Sequence, residues 1–154
     1  MVLPGENSLP AQAFLHRTFP GLDIRSGRKH MKPYLAQIAD FFLGKRREFD
    51  IPLDVRGTDF QFRVWDAISA IPFGETRSYS EVADSIGRPG ACRAVGGAAG
   101  ANVVPLVIPC HRVTGKGGLL GGFSAGLVLK RWLLKFEGGG FGSARARCGG
   151  PSQA

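Results

Sequence analysis

The chain has 154 residues, a mass of 16.4 kDa and a formal charge of +8, with 44% hydrophobic and 21% charged residues. That length suits one domain, or one with a small companion, and the balance excludes a wholly disordered chain. No apolar run reaches the roughly 18 residues that a bilayer span needs, and Cys92, Cys110 and Cys148 suit neither a disulfide framework nor a zinc knuckle.

A pI near 10.0 makes a polyanion, nucleic acid first, the partner to test, with a merely soluble basic protein as the equal alternative on charge alone. The first 14 residues carry neither a basic n-region nor an apolar h-region, so no secretory signal is seen. The default location is intracellular, and the cytoplasm is expected.

Residues 1–31 mix proline, glycine and scattered charge and read as loop with at most one short strand. Over 32–43 the apolar residues Tyr34, Leu35, Ile38, Phe41 and Phe42 recur at helical spacing and stop at Gly44. Phe49, Ile51, Leu53 and Val55 then alternate with polar residues as an extended arm, which Pro52 demotes to an edge or a linker. A boundary falls near Arg56 and Gly57.

Thr58 and Gln61 form a capping box that opens a helix over 59–70, ended by Ile71, Pro72, Phe73 and Gly74. Ser78 and Glu81 form a second box, opening a short helix that Gly87 closes. Arg88, Pro89 and Gly90 make a turn into a small-residue helix over 91–99. The two short helices read as a helix-turn-helix, with an ordinary helical hairpin as the bland alternative.

The β-branched run 103–108, interrupted by Pro105 and stopped by Pro109, reads as a buried extended segment leading to Cys110 and His111. Lys116, Gly117 and Gly118 make a turn. A last amphipathic helix presents Leu129, Trp132, Leu133 and Phe136 on one side and Lys130, Arg131 and Lys135 on the other. Six glycines in the 17 residues of 138–154 predict a disordered tail.

Cys110 stands beside His111 and Arg112, a basic setting that favours the thiolate, although adjacent side chains of an extended strand diverge and disfavour a direct thiol–imidazole contact. By itself a lone buried cysteine is as readily inert filler. Glu137, in the last turn of the final helix, opposes the helix dipole and calls for a cationic partner such as His111.

In order and spacing, Phe60 to Trp65, Ile71 to Thr76, Ser78-Tyr79, Arg93 to Gly96, Asn102, Ile108 to Val113 and Lys130 to Glu137 resemble the methylated-DNA-protein-cysteine methyltransferases. These repair 6-O-alkylguanine in DNA. The resemblance runs from Arg56 to Gly138 without an evident gap and implies a mainly helical α+β fold. Its parts are a shortened α/β N-terminal region (1–56), a DNA-binding and methyltransferase domain with a winged-helix-like helix-turn-helix (57–138) and the tail (139–154).

By that resemblance Cys110 is the alkyl acceptor, His111 the base that removes its proton through a water, and Glu137 the carboxylate that orients the imidazole. Asn102 holds the loop before the cysteine, and Tyr79 donates its hydroxyl toward guanine N3. Arg93 fills the gap left by the flipped nucleotide, while Ala94, Gly96 and Gly97 let their helix approach the minor groove. Phe123 and Ser124 line the substrate pocket, with Phe123 standing where many members have tyrosine, which puts the preferred alkyl group in question.

The implied reaction is irreversible and stoichiometric, on 6-O-methylguanine and 4-O-methylthymine in double-stranded DNA, by a monomer without metal or cofactor. An alkyltransferase-like protein that binds damage without repairing it is the alternative, opposed by the presence of Cys110. A multiple-turnover Cys-His hydrolase ranks last.

Overall fold

In the computed structural model, which describes residues 28–138, two helices open where the sequence chemistry asks for them. Thr58 Oγ1 accepts from the Gln61 amide while Gln61 Oε1 accepts from the Thr58 amide, and α2 (Asp59–Ser69) follows. Ser78 and Glu81 repeat the exchange before α3 (Tyr79–Ser85), and Glu81 is held below its ordinary pKa by those hydrogen bonds. Such caps contribute roughly 1 kcal/mol each. Gly87 (φ +69°) ends α3, and Gly90 (φ +82°) completes the turn into α4 (Cys92–Gly100).

These helices enclose one core. Val64, Trp65 and Ile68 of α2 meet Val82 and Ala83 of α3 and Val95, Ala98 and Ala99 of α4, with Ile108, Cys110 and Val113 closing the cluster. The Trp65 indole satisfies its only donor on the Ala98 carbonyl at 2.9 Å, fixing α2 against α4. A two-residue parallel ladder pairs β1 (Arg77–Ser78) with β2 (Val113–Thr114) and ties the start of α3 to the chain just beyond His111. The fold is therefore mainly helical with a minimal sheet.

Four expectations are corrected. Residues 28–31, expected in a loop, begin α1 (Arg28–Phe42), which runs through Pro33 in its second turn at the loss of one backbone bond. Within α1, Leu35 is exposed, whereas Phe41 is fully buried against Phe49, Phe73 and Phe136.

The run 103–108 does not extend. Asn102 braces it from inside, accepting from the Val104 amide and donating to the Ile108 carbonyl, and the chain folds back through Leu106 at φ +82°.

In α5 (Leu127–Phe136) the inward face is Lys130, Leu133 and Leu134, not a purely apolar stripe, because three backbone carbonyls receive the Lys130 ammonium. Trp132 is 48% exposed, stacked on Phe136. The loop over 1–27 and the tail over 139–154 lie outside the described residues.

Candidate active site

Cys110 begins a 3₁₀ turn (Cys110–Arg112) rather than lying in an extended strand, so neither side-chain divergence nor direct contact follows from alternation. The Cys110 sulfur is buried and accepts a hydrogen bond from Asn102 Nδ2 at 3.2 Å. The same nitrogen donates to the Ile108 carbonyl, so one amide fixes both the loop and the thiol. Burial pushes the thiol above its ordinary 9.0, against the opposing pull of the Asn102 bond and the Lys130 charge. The basic neighbourhood read from the sequence is real, but burial outweighs it.

His111 is wholly buried, and its Nε2 lies 2.9 Å from Glu137 Oε1. Burial depresses its pKa more than Glu137 raises it, which leaves a neutral imidazole at pH 7 with Nε2 as the donor. Nδ1 is buried and makes no hydrogen bond to the described protein groups.

Glu137 stands at the C-cap of α5, where the helix dipole and burial both disfavour its charge. Hydrogen bonds from His111 and Arg112 overcome burial and hold its pKa at about 2. Arg112 grips the carboxylate with two donors at 2.9 and 3.0 Å, and the Gly74 amide donates to Oε2 at 3.2 Å.

Two buried cations were missed as site residues by sequence reasoning. Arg112 was quoted within its motif but given no role, and Lys130 was assigned to the solvent face. Lys130 Nζ donates to the Val113 carbonyl at 2.6 Å and to those of Gly121 and Gly122 at 3.4 Å, joining β2 to the loop before Phe123. Burial lowers its pKa, with the nearby Cys110 opposing. Only the crowding of the Arg112 and Lys130 motifs around Cys110 and Glu137 signalled either residue in the sequence.

Tyr79 opens α3 half-buried, and burial followed by the charge of Cys110 raises its pKa, which keeps the hydroxyl protonated. A Cβ at Gly121 would collide with the Tyr79 hydroxyl, so a side chain there requires the Tyr79 ring to shift. Phe123 packs edge-on to the His111 ring at 6.4 Å, whereas Ser124 is exposed.

On α4 the exposed positions include Arg93, Ala94, Gly97 and Gly100, with Gly96 half-buried over Tyr79. The structure thus gathers Cys110, His111, Glu137, Asn102, Tyr79 and Phe123, and leaves Arg93, Ala94 and Gly97 on a separate outer face.

A family model described as the DNA binding domain of 6-O-methylguanine DNA methyltransferase matches residues 59–139. The chain belongs to this family. A methylated-DNA--protein-cysteine methyltransferase of Mycobacterium tuberculosis strain H37Rv is 55% identical over 101 residues, covering 66% of this chain and 61% of that protein. The chain therefore matches about three-fifths of the length of these mycobacterial relatives.

The inducible methylated-DNA--protein-cysteine methyltransferase of Bacillus subtilis is 40% identical over 140 residues, covering 89% of this chain and 78% of the relative. A crystal structure of Mycobacterium tuberculosis OGT in complex with DNA superposes with a TM-score of 0.68 at 48% identity, covering 75% of this chain and 74% of the other. The matched stretch includes the 3₁₀ turn at Cys110, set among the buried polar groups described above.

Proposed function

We propose that the protein repairs alkylated DNA by moving the alkyl group of 6-O-methylguanine, and of 4-O-methylthymine, irreversibly onto Cys110. The observation that carries this reading is the buried His111–Glu137 hydrogen bond next to a thiol already held as an acceptor by Asn102. Glu137 fixes Nε2 as the donor and leaves Nδ1 as the basic nitrogen, to which a water delivers the Cys110 proton.

The thiolate attacks the methyl carbon, the S–C bond forms, and the C–O bond breaks with its electron pair passing to the guanine. Tyr79 donates a hydrogen bond on the N3 side, and the proton taken from Cys110 returns to the guanine through solvent, so His111 and Tyr79 both end as they began. The product thioether offers water neither a carbonyl nor a good leaving group, so each chain acts once. The reaction needs no metal or cofactor.

Double-stranded DNA is the proposed partner, met by 57–138 acting as a monomeric unit, with 1–56 as a shortened N-terminal region. α3, its turn and α4 serve as the helix-turn-helix, laying the small-residue face of α4 in the minor groove. Arg93 replaces the flipped nucleotide, and extrusion costs a few kcal/mol, least for a badly paired base. The relative solved with DNA and the net charge of +8 support a polyanionic partner. No helix among the described residues is long and apolar enough to cross a membrane, and the proposed location is the cytoplasm.

The test is Cys110→Ala. It is expected to abolish methyl transfer while the duplex carrying 6-O-methylguanine still binds in a gel-shift titration, because the thiol is buried and the exposed positions of α4 do not include it. Transfer that persists in the variant contradicts the role of Cys110.

A further inference from the structure

The residues that end α2 do more than turn the chain. Ile71 gives its carbonyl to Arg112 Nη1 at 2.7 Å, Phe73 sets its ring under the same guanidinium at 5.8 Å, and Gly74 gives its amide to Glu137 Oε2 at 3.2 Å. Three consecutive contacts over four residues thus converge on the Glu137–Arg112 pair. The opposite carboxylate oxygen, Oε1, is the one that meets His111.

Gly74 has no room for a side chain. Its φ is +80°, and a Cβ would stand 2.8 Å from the Glu137 carbonyl oxygen, a backbone atom that moves only with the end of α5. Phe73 is itself held from the N-terminal side, edge-on to Phe41 of α1 at 5.8 Å and beneath the Arg47 guanidinium at 5.4 Å.

We propose that the 71–74 turn is the positioning element of the Glu137 carboxylate, with Gly74 and Phe73 as positioning residues that keep Oε1 within hydrogen-bond reach of His111. No side-chain hydrogen bond among the described residues joins the turn to the Cys110 sulfur or the His111 ring, whose polar partners are Asn102 and Glu137. The turn acts through Glu137, and its effect on alkyl transfer rests on the function proposed above. The geometry is steeply sensitive here, because displacing the end of α5 by a fraction of an ångström takes a 2.9 Å bond out of its favourable range.

The experiment reads the hydrogen bond and the reaction separately. In unreacted protein, the His111 Nε2–H proton resonance is displaced downfield by its bond to a buried carboxylate. In Gly74→Ala it is expected to move upfield, and Phe73→Leu, which removes the ring under Arg112 without straining the backbone, should move it in the same direction by less. The single-turnover methyl transfer rate of Gly74→Ala at neutral pH should fall about tenfold, a fraction of what general-base catalysis supplies.

That loss should shrink at high pH, which a merely loosened fold would not produce. If Gly74→Ala does not fold, the Phe73→Leu spectrum decides. A resonance unmoved in the folded variants overturns the proposal. A resonance that moves, in a protein whose wild type transfers no methyl, supports the positioning role and overturns the function instead.

Discussion

At the scale of single residues, the proposed relay runs from Glu137 through His111 to Cys110, and its first link is the 2.9 Å His111–Glu137 bond. Glu137→Gln keeps a hydrogen-bond partner for His111 but removes the charge that raises the imidazole's proton affinity, so the buried ring accepts the thiol proton less readily. The single-turnover rate at pH 7 should fall about 100-fold, the lower end of what a general base contributes. The defect should close only as pH climbs past 9.0, since burial lifts the thiol above that value before hydroxide ionises it unaided. Parallel rate profiles across that range would leave Glu137 a structural residue. Cys110, His111 and Glu137 drew notice in the sequence because two are adjacent and the third stands against a helix dipole, but their roles came only from the resemblance. Arg112 and Lys130 were not, because the carbonyls and carboxylate that bury them come from Ile71, Gly121, Gly122 and Glu137, which only the fold brings near.

At the scale of elements, the division between legible and illegible follows the range of the interactions. Both capping boxes were readable because donor and acceptor lie three residues apart. The β1–β2 ladder was not, since its strands are two residues long and its partners, Arg77 with Val113 and Ser78 with Thr114, lie 36 positions apart. The fold-back at Leu106 was misread as extension because a non-glycine residue at positive φ leaves no mark in the sequence. α4 offers the sharpest element-scale prediction. Gly97 is exposed with open space around its Cβ position, so Gly97→Ala should stabilise the helix by about 0.5–1 kcal/mol. Gly97→Leu should fold equally well yet lose duplex binding, because its bulk projects into the proposed groove contact. Undiminished duplex binding by a folded Gly97→Leu would move the DNA surface elsewhere.

At the scale of the whole molecule, helix α1 and the Glu137 carboxylate share one aromatic seam. Phe41 of α1 packs on Phe73 and Phe136, which flank the turn and the helix end that hold Glu137. That contact was invisible in the sequence, where α1 read only as an amphipathic helix with no stated partner. The buried titrating groups make the fold acid-labile in a defined window. His111 is depressed below 6.5, so the unfolded chain takes up that proton first and stability begins to fall below pH 6.5. Glu137, at about 2 against an ordinary 4.5, contributes roughly 3 kcal/mol that is complete above pH 4.5 and lost as pH drops toward 2. Denaturant midpoints measured from pH 7 to pH 3 should decline through both windows, and Glu137→Gln should flatten the lower one. A midpoint independent of pH would mean that neither group is coupled to folding.

The central claim, that this chain takes an alkyl group from DNA onto one cysteine and keeps it, is tested most directly by mass. The wild-type protein is incubated with excess duplex carrying a single 6-O-methylguanine, its intact mass is recorded, and the modified peptide is sequenced. The account predicts a gain of about 14 Da, one CH₂ on a thiolate nucleophile, confined to Cys110 and stopping at one equivalent per chain. An unchanged mass, a second equivalent, or the same gain on Cys92 or Cys148 would contradict it.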